Sequence, residues 1–338
     1  MASTPEHTGV HASRRRPALL LLGLFFFAVL AFVFALTQGS MHFSLADYIA
    51  VLHGQPTEFT SQVIHQLRLP RAQQAFITGA LLASAGALLQ VLLRNPLAEP
   101  YVLGISGGAS VFALLAMLAG LAGLAVSGAA FAGALLAMLL VFGLARGEHS
   151  WSPTRLLLTG VVLATGWGAI VSFLLSIAPQ AQLHSLLFWL MGDLSFAQQR
   201  WPGLLTLLIA LVLMLYKARS LNVLAFGGKQ AQALGVEVTR LSWQIYVLAS
   251  LMTAVAVVEA GSIGFVGLIV PHVLRLLGLH DHRFLIPGCM LAGGGLLLVA
   301  DTLARSLFTD IVLPVGVLTA ALGVPVFIVL LYRGTRSL

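Results

Sequence analysis

Four groups of residues have the types and spacing that chemistry needs, and each suggests a different reaction. Gly104-Ile105-Ser106-Gly107 carries the G-x-S-G pattern of a rhomboid-like intramembrane serine protease, with His272 as a nominal base. Ser106, however, follows an Asn-Pro turn at the start of an apolar run, a place where serine commonly caps a helix. Gly227-Gly228-Lys229 looks like the end of a phosphate-binding loop, but Val223 stands where its first glycine belongs and Gln230 where Ser or Thr is required. No strand precedes it, so this chain is not expected to bind ATP. His280 and His282 flank Asp281 in a short turn, while His7 and His11 lie in a polar tail, and the ten histidines supply no metal set. Glu259, Arg275, Asp301 and Arg305 lie within or beside apolar runs. A charge at the bilayer centre costs ~2.5–3.5 kcal/mol, so these residues are expected to face other helices or a watery path. They are too few for the carboxylate and histidine relay of a proton-coupled secondary transporter.

The elements that must position these residues belong to a membrane. Hydrophobic residues make up 59% of the 338 and charged residues only 9%, against ~25% in soluble domains. The single cysteine, Cys289, excludes an intrachain disulfide and a thiolate metal cluster. The net charge of +7 is spread singly between apolar runs and forms no stripe for nucleic acid.

Apolar windows long enough to cross ~30 Å of hydrocarbon start near residues 18, 72, 103, 124, 155, 201, 241, 264, 284 and 314. They predict an all-α polytopic membrane protein with about ten transmembrane helices, a tail at 1–17 and a membrane domain at 18–338. The first window follows Arg14-Arg15-Arg16 without a small-residue cleavage site, and is read as a retained span. With both termini cytoplasmic, 14 of the 18 Lys and Arg residues fall inside, leaving Arg68, Arg71, Arg200 and Arg305 outside. Gly261, Gly264, Gly267 and Pro271 predict a broken or short helix. The inward loop at about 217–240 contains Ala231, Leu234 and Gly235 in a segment suited to a short helix ended by Gly235.

One stretch is dense in particular identities: Arg68-Leu69-Pro70-Arg71, Gly79 to Gly86, Gln90, Arg94-Asn95-Pro96-Leu97-Ala98-Glu99-Pro100 and Leu103-Gly104. Further on come Phe188-Trp189-Leu190-Met191-Gly192, Gly264-Phe265-Val266-Gly267, Pro271-His272, Asp281-His282-Arg283, Ala300-Asp301 and Leu313-Pro314-Val315-Gly316. From about residue 65 onward the chain resembles the FecCD-type permease subunits of bacterial ABC importers, which take up iron-siderophores, haem or cobalamin. Ser262 and Val312 depart from the pattern, standing where relatives often have proline and an acidic residue.

The resemblance implies a type II importer permease with inverted five-helix halves, in the bacterial inner membrane. It implies a homodimer, two cytoplasmic ATPase subunits that use the ATP, and a periplasmic substrate-binding protein. It places binding-protein docking at Arg68, Arg71 and Arg305, ATPase coupling at Ala231, Leu234 and Gly235, and the cytoplasmic gate at Ser152 and Thr154. No catalytic residue, metal or cofactor is expected in this chain. Iron-siderophore complexes and haem are the first cargo expectation, with cobalamin as the alternative.

Overall fold

The computed structural model describes residues 9–39, 58–145, 152–196, 200–307 and 313–334; Val312 lies outside them. The helices are α1 Gly9–Thr37, α2 Leu69–Leu92, α3 Ile105–Leu118, α4 Leu124–Ala145, α5 Pro153–Ile177, α6 Gln180–Leu190, α7 Trp201–Ala225, α8 Gly228–Ala233, α9 Val238–Ala260, α10 Val266–Leu276, α11 His282–Ser306 and α12 Val315–Gly334. A short helix, Glu58–Gln62, and a wide π-type turn, Val63–Arg68, lead into α2. No strand occurs among the described residues. Each of the ten sequence windows carries a helix. Seven are long and apolar enough to cross a membrane, and Ile105–Leu118, Val266–Leu276 and Val315–Val329 are shorter.

The helix α2 is the central post. Protein buries 94% of its apolar window, against 17% for the windows in α1 and α5. Small side chains allow this, because in lipid the close approach of backbones replaces the hydrophobic effect between helices. A Cβ at Gly79 would fall 2.2 Å from the Gly293 carbonyl oxygen of α11, and one at Gly86 would fall 1.8 Å from that of Gly267 in α10. Only glycine fits at either crossing. Pro70 follows closely on the π-type turn Val63–Arg68, where the regular i→i−4 ladder is already interrupted and the missing N–H is absorbed.

The glycine-rich run after α9 breaks the chain as expected. Gly261 takes φ +68°, and Phe265 is left-handed at φ +69° just before α10. The 11 residues of α10 rise only ~16 Å, about half of the hydrocarbon thickness. Non-helical backbone at such depth must be satisfied by protein.

Candidate functional site

The break supplies its own partners from the first motif run. Glu99 Oε1 accepts the Phe265 N–H at 2.6 Å, and the Tyr101 hydroxyl oxygen accepts the Ile263 N–H at 2.8 Å. Two orphan donors at the start of a half-length helix are thereby paired, which holds a left-handed phenylalanine that would otherwise cost ~1–3 kcal/mol. The segment carrying Glu99 and Tyr101 is wedged against α5, where a Cβ at Gly160 would approach the Val102 carbonyl oxygen to 2.6 Å. Two motif runs more than 160 positions apart thus form one unit. Below them, the Gln90 amide donates to the Leu268 carbonyl at 3.1 Å, and Gln90 Oε1 accepts from Arg275 Nη1.

At one end of the bundle, all four arginines that the charge sorting left outside line one vestibule of about 690 Å³: Arg68, Arg71, Arg200 and Arg305. They are not equivalent. Arg71 Nη2 lies 2.9 Å from Asp301 Oδ1 and 3.4 Å from Asp193 Oδ1, and its Nη1 donates to Ser195 Oγ at 2.8 Å. Arg305 Nε reaches Asp301 Oδ2 at 3.1 Å, one helical turn away. Asp301 is 2% exposed and sits between two guanidinium groups. Arg68 departs from the expectation of an exposed docking residue. It is 5% exposed, and its Nη1 donates to the carbonyls of Leu36 and Thr37 at 2.8 and 3.3 Å, capping the last turn of α1. Deeper, Glu259 accepts from the Gln74 amide and, at 3.1 Å, from the Gly203 N–H, joining α2, α7 and α9.

On the opposite side, α8 is a six-residue helix closed as the sequence indicated. Gly235 is left-handed at φ +80°; its N–H donates to the Gln232 carbonyl at 3.0 Å, and that of Val236 to the Ala231 carbonyl at 2.9 Å. This is the Schellman pattern, which requires the glycine. Ala231 is fully buried and presents nothing to a partner, whereas Leu234 is 71% and Phe226 83% exposed. The Arg94 guanidinium lies over Gly228, 2.3 Å from where a Cβ would be, and no strand leads into Gly227-Gly228-Lys229, so the segment is not a phosphate loop. Asp281 caps α11 by accepting the Arg283 N–H at 2.9 Å and the Asn222 amide at 2.8 Å. Burial raises the Asp281 carboxyl, but these hydrogen bonds and the nearby Arg283 more than offset it and hold it below its usual range. His282 Nδ1 lies 2.6 Å from Asn222 Oδ1, a structural lock. No cluster able to hold a metal occurs among the described residues.

Ser152 caps α5, its hydroxyl accepting the Arg155 N–H at 3.5 Å. Exposed Thr154 shares one face of α5 with Thr165, Ser172 and Ser176, and with the exposed Leu158 and Val161 that lie between the two threonines. At 100° per residue the four hydroxyl residues lie within about 40° of one another on the helix. The hydroxyls of Thr165, Ser172 and Ser176 donate to carbonyls of their own helix at 3.0, 2.9 and 2.7 Å. Ser106 lies in the first turn of α3, and no hydrogen bond joins it to His272 among the described residues.

Sequence reasoning missed Asp193, Tyr101 and Asn222, whose roles depend on partners 50 or more positions away. The short motif Trp189-Leu190-Met191-Gly192 was the available signal for Asp193, which follows it directly.

Among the described residues, nine apolar helices around a buried tenth, with a break before α10 closed by the loop that carries Glu99 and Tyr101, define a polytopic membrane permease. The chain belongs to the FecCD transport family, whose model matches residues 27–333. It is 39% identical over 334 residues to a vitamin B12 import system permease protein, BtuC, of Salmonella paratyphi A, covering 97% of this chain and 99% of that one. It is 44% identical over 287 residues to the protein of that name from Yersinia enterocolitica, covering 82% and 85%. Among solved structures it is similar to an inward-facing metal-chelate type ABC transporter, with TM-score 0.80, 34% identity and coverage of 94% and 99%.

Proposed function

We propose that two copies of this chain form the channel of a binding-protein-dependent ABC importer in a bacterial inner membrane, with both termini cytoplasmic. The carrying observation is the hydroxyl stripe on α5. Threonine and serine recurring along an exposed face that also carries Leu158 and Val161 give it the mixed polar and apolar surface suited to a water-filled path. Because those hydroxyls are already bonded to their own backbone, they offer passing cargo only weak contacts, as a conduit requires. The stripe starts at Thr154, with Ser152 capping the helix just before it, and these two residues take the role of cytoplasmic gate.

In this reading, α8 is the coupling element for two cytoplasmic ATPase subunits, with Leu234 and Phe226 as its apolar contacts and Gly235 fixing its exit. The vestibule receives an acidic surface of a periplasmic binding protein. Arg71 and Arg305 make that contact, and Arg68 positions α1 beside them. ATP is consumed in the partner subunits.

The cargo is a bulky metal chelate. Cobalamin is favoured by the import systems for which the relatives are named, and iron-siderophore or haem is the second reading, supported by the shared motif pattern. Uptake of labelled cobalamin, iron-siderophore and haem into a strain lacking this chain separates the three. Single cysteines at Thr165 and Ser172 should react with a membrane-impermeant thiol reagent, while cysteines at Val162 and Ile170 should not; labelling of the second pair alone would remove the stripe as the path.

A further inference from the structure

Besides the vestibule, Arg200 and Trp201 line a second cavity of about 470 Å³, which is open between α1 and α7. Its walls are aromatic, with Phe25 and Phe32 from α1, Phe76 from α2 and Trp201 from α7. Phe25 is 51% and Trp201 60% exposed. In a membrane-spanning chain those faces look onto acyl chains. Phe25 and Phe32 are seven residues apart, so the aromatic wall runs ~10 Å along the membrane normal. Its polar members are Arg200, the N-cap of α7, and Gln73, the fifth residue of α2, both near the ends of helices that start on the outward side.

Charge complementarity identifies the occupant. Arg71 and Arg305 share the Asp301 carboxylate, Arg71 also reaches Asp193, and Arg68 is held on α1 carbonyls. No carboxylate among the described residues pairs with Arg200. Its guanidinium lies 5.5 Å from the Trp201 ring centroid, a cation–π contact that fixes the charge at the mouth of the groove. A tryptophan beside an arginine at the end of a span is a headgroup-level anchor. We propose that this groove binds one phospholipid of net negative charge, with an acyl chain along the Phe25–Phe32 wall and the phosphodiester on Arg200. The proposal rests on the chain spanning a bilayer with residue 200 outward, and not on what the channel carries.

The test uses the full-length protein, solubilised and analysed intact by native mass spectrometry after exchange into mixed phosphatidylglycerol and phosphatidylcholine. About one phosphatidylglycerol per chain should be retained, with roughly fivefold preference over phosphatidylcholine, as expected for one basic residue near a headgroup. Arg200→Gln should abolish the preference. Val29→Trp, which fills the groove from an exposed position, should abolish retention of both lipids. Equal retention of the two lipids by the parent protein overturns the proposal, as does unchanged retention in both variants. Cross-linking of two chains through Phe25→Cys at full yield would give the groove to a second copy and overturn it as well. Because the readout is bound mass, a failed transport assay leaves this result interpretable.

Discussion

Replacing Asp301 by asparagine should be the most damaging single change in the four-arginine vestibule. The carboxylate is 2% exposed and takes charge-assisted hydrogen bonds from Arg71 at 2.9 Å and from Arg305 at 3.1 Å. Each such bond is worth ~1.5–3 kcal/mol when its partner is charged, and breaking a fully buried pair costs ~3–5 kcal/mol. Here the two arginine side chains keep 19% and 17% exposure, and water in the vestibule screens part of the loss. The amide also preserves one acceptor. The expected destabilisation is therefore ~2–4 kcal/mol, with Arg71 and Arg305 left to repel each other. Asp193→Asn is the internal control. Its contact to Arg71 is longer, at 3.4 Å, and Asp301 shares the same guanidinium, so ~0.2–1 kcal/mol is expected. The assay is reversible unfolding in mixed micelles, with a double-mutant cycle between Asp301→Asn and Arg305→Gln. A coupling energy of ~1–2 kcal/mol is predicted. Equal effects of the two aspartate variants, or additivity in the cycle, would refute the assignment of Asp301 as the organising charge.

Three further outcomes follow from the same contacts. Gly86→Ala should prevent α2 from seating against α10, since the added carbon would meet the Gly267 carbonyl oxygen at 1.8 Å, and should show as loss of folded, monodisperse protein in size-exclusion chromatography. Leu234→Asp should reduce ATPase association by tenfold or more in a pull-down while leaving thermal stability within ~0.5 kcal/mol, because the residue is 71% exposed. Asp281 is held below its ordinary value of 3.8, so its contribution to stability is present above that value and is lost as pH falls through the lower folded value. Asp281→Asn should flatten this acid limb of a melting-temperature profile, and an unchanged limb would discount the cap.

The fold was legible in the sequence wherever length and hydrophobicity carried the signal, because lipid imposes its thickness on every span. The glycines and Pro271 marked the broken helix in advance, since few other residues tolerate such backbone. The function of Asn95-Pro96-Leu97-Ala98-Glu99-Pro100 was not legible. Nothing local in Glu99 announces that its carboxylate serves the Phe265 N–H 166 positions away. The vestibule was half legible: topology put four arginines outside, but only the packing shows which of them already have partners. The burial of Ala231 was not legible, because a short helix hides one face and six residues are too few for periodicity to reveal which.

The most direct test of the transport reading is reconstitution. Proteoliposomes containing this chain, with its ATPase and binding protein, should accumulate labelled cobalamin or iron chelate on addition of ATP, and should fail to do so when either partner is omitted. Accumulation by this chain alone, driven by a proton gradient and indifferent to ATP, would contradict the account.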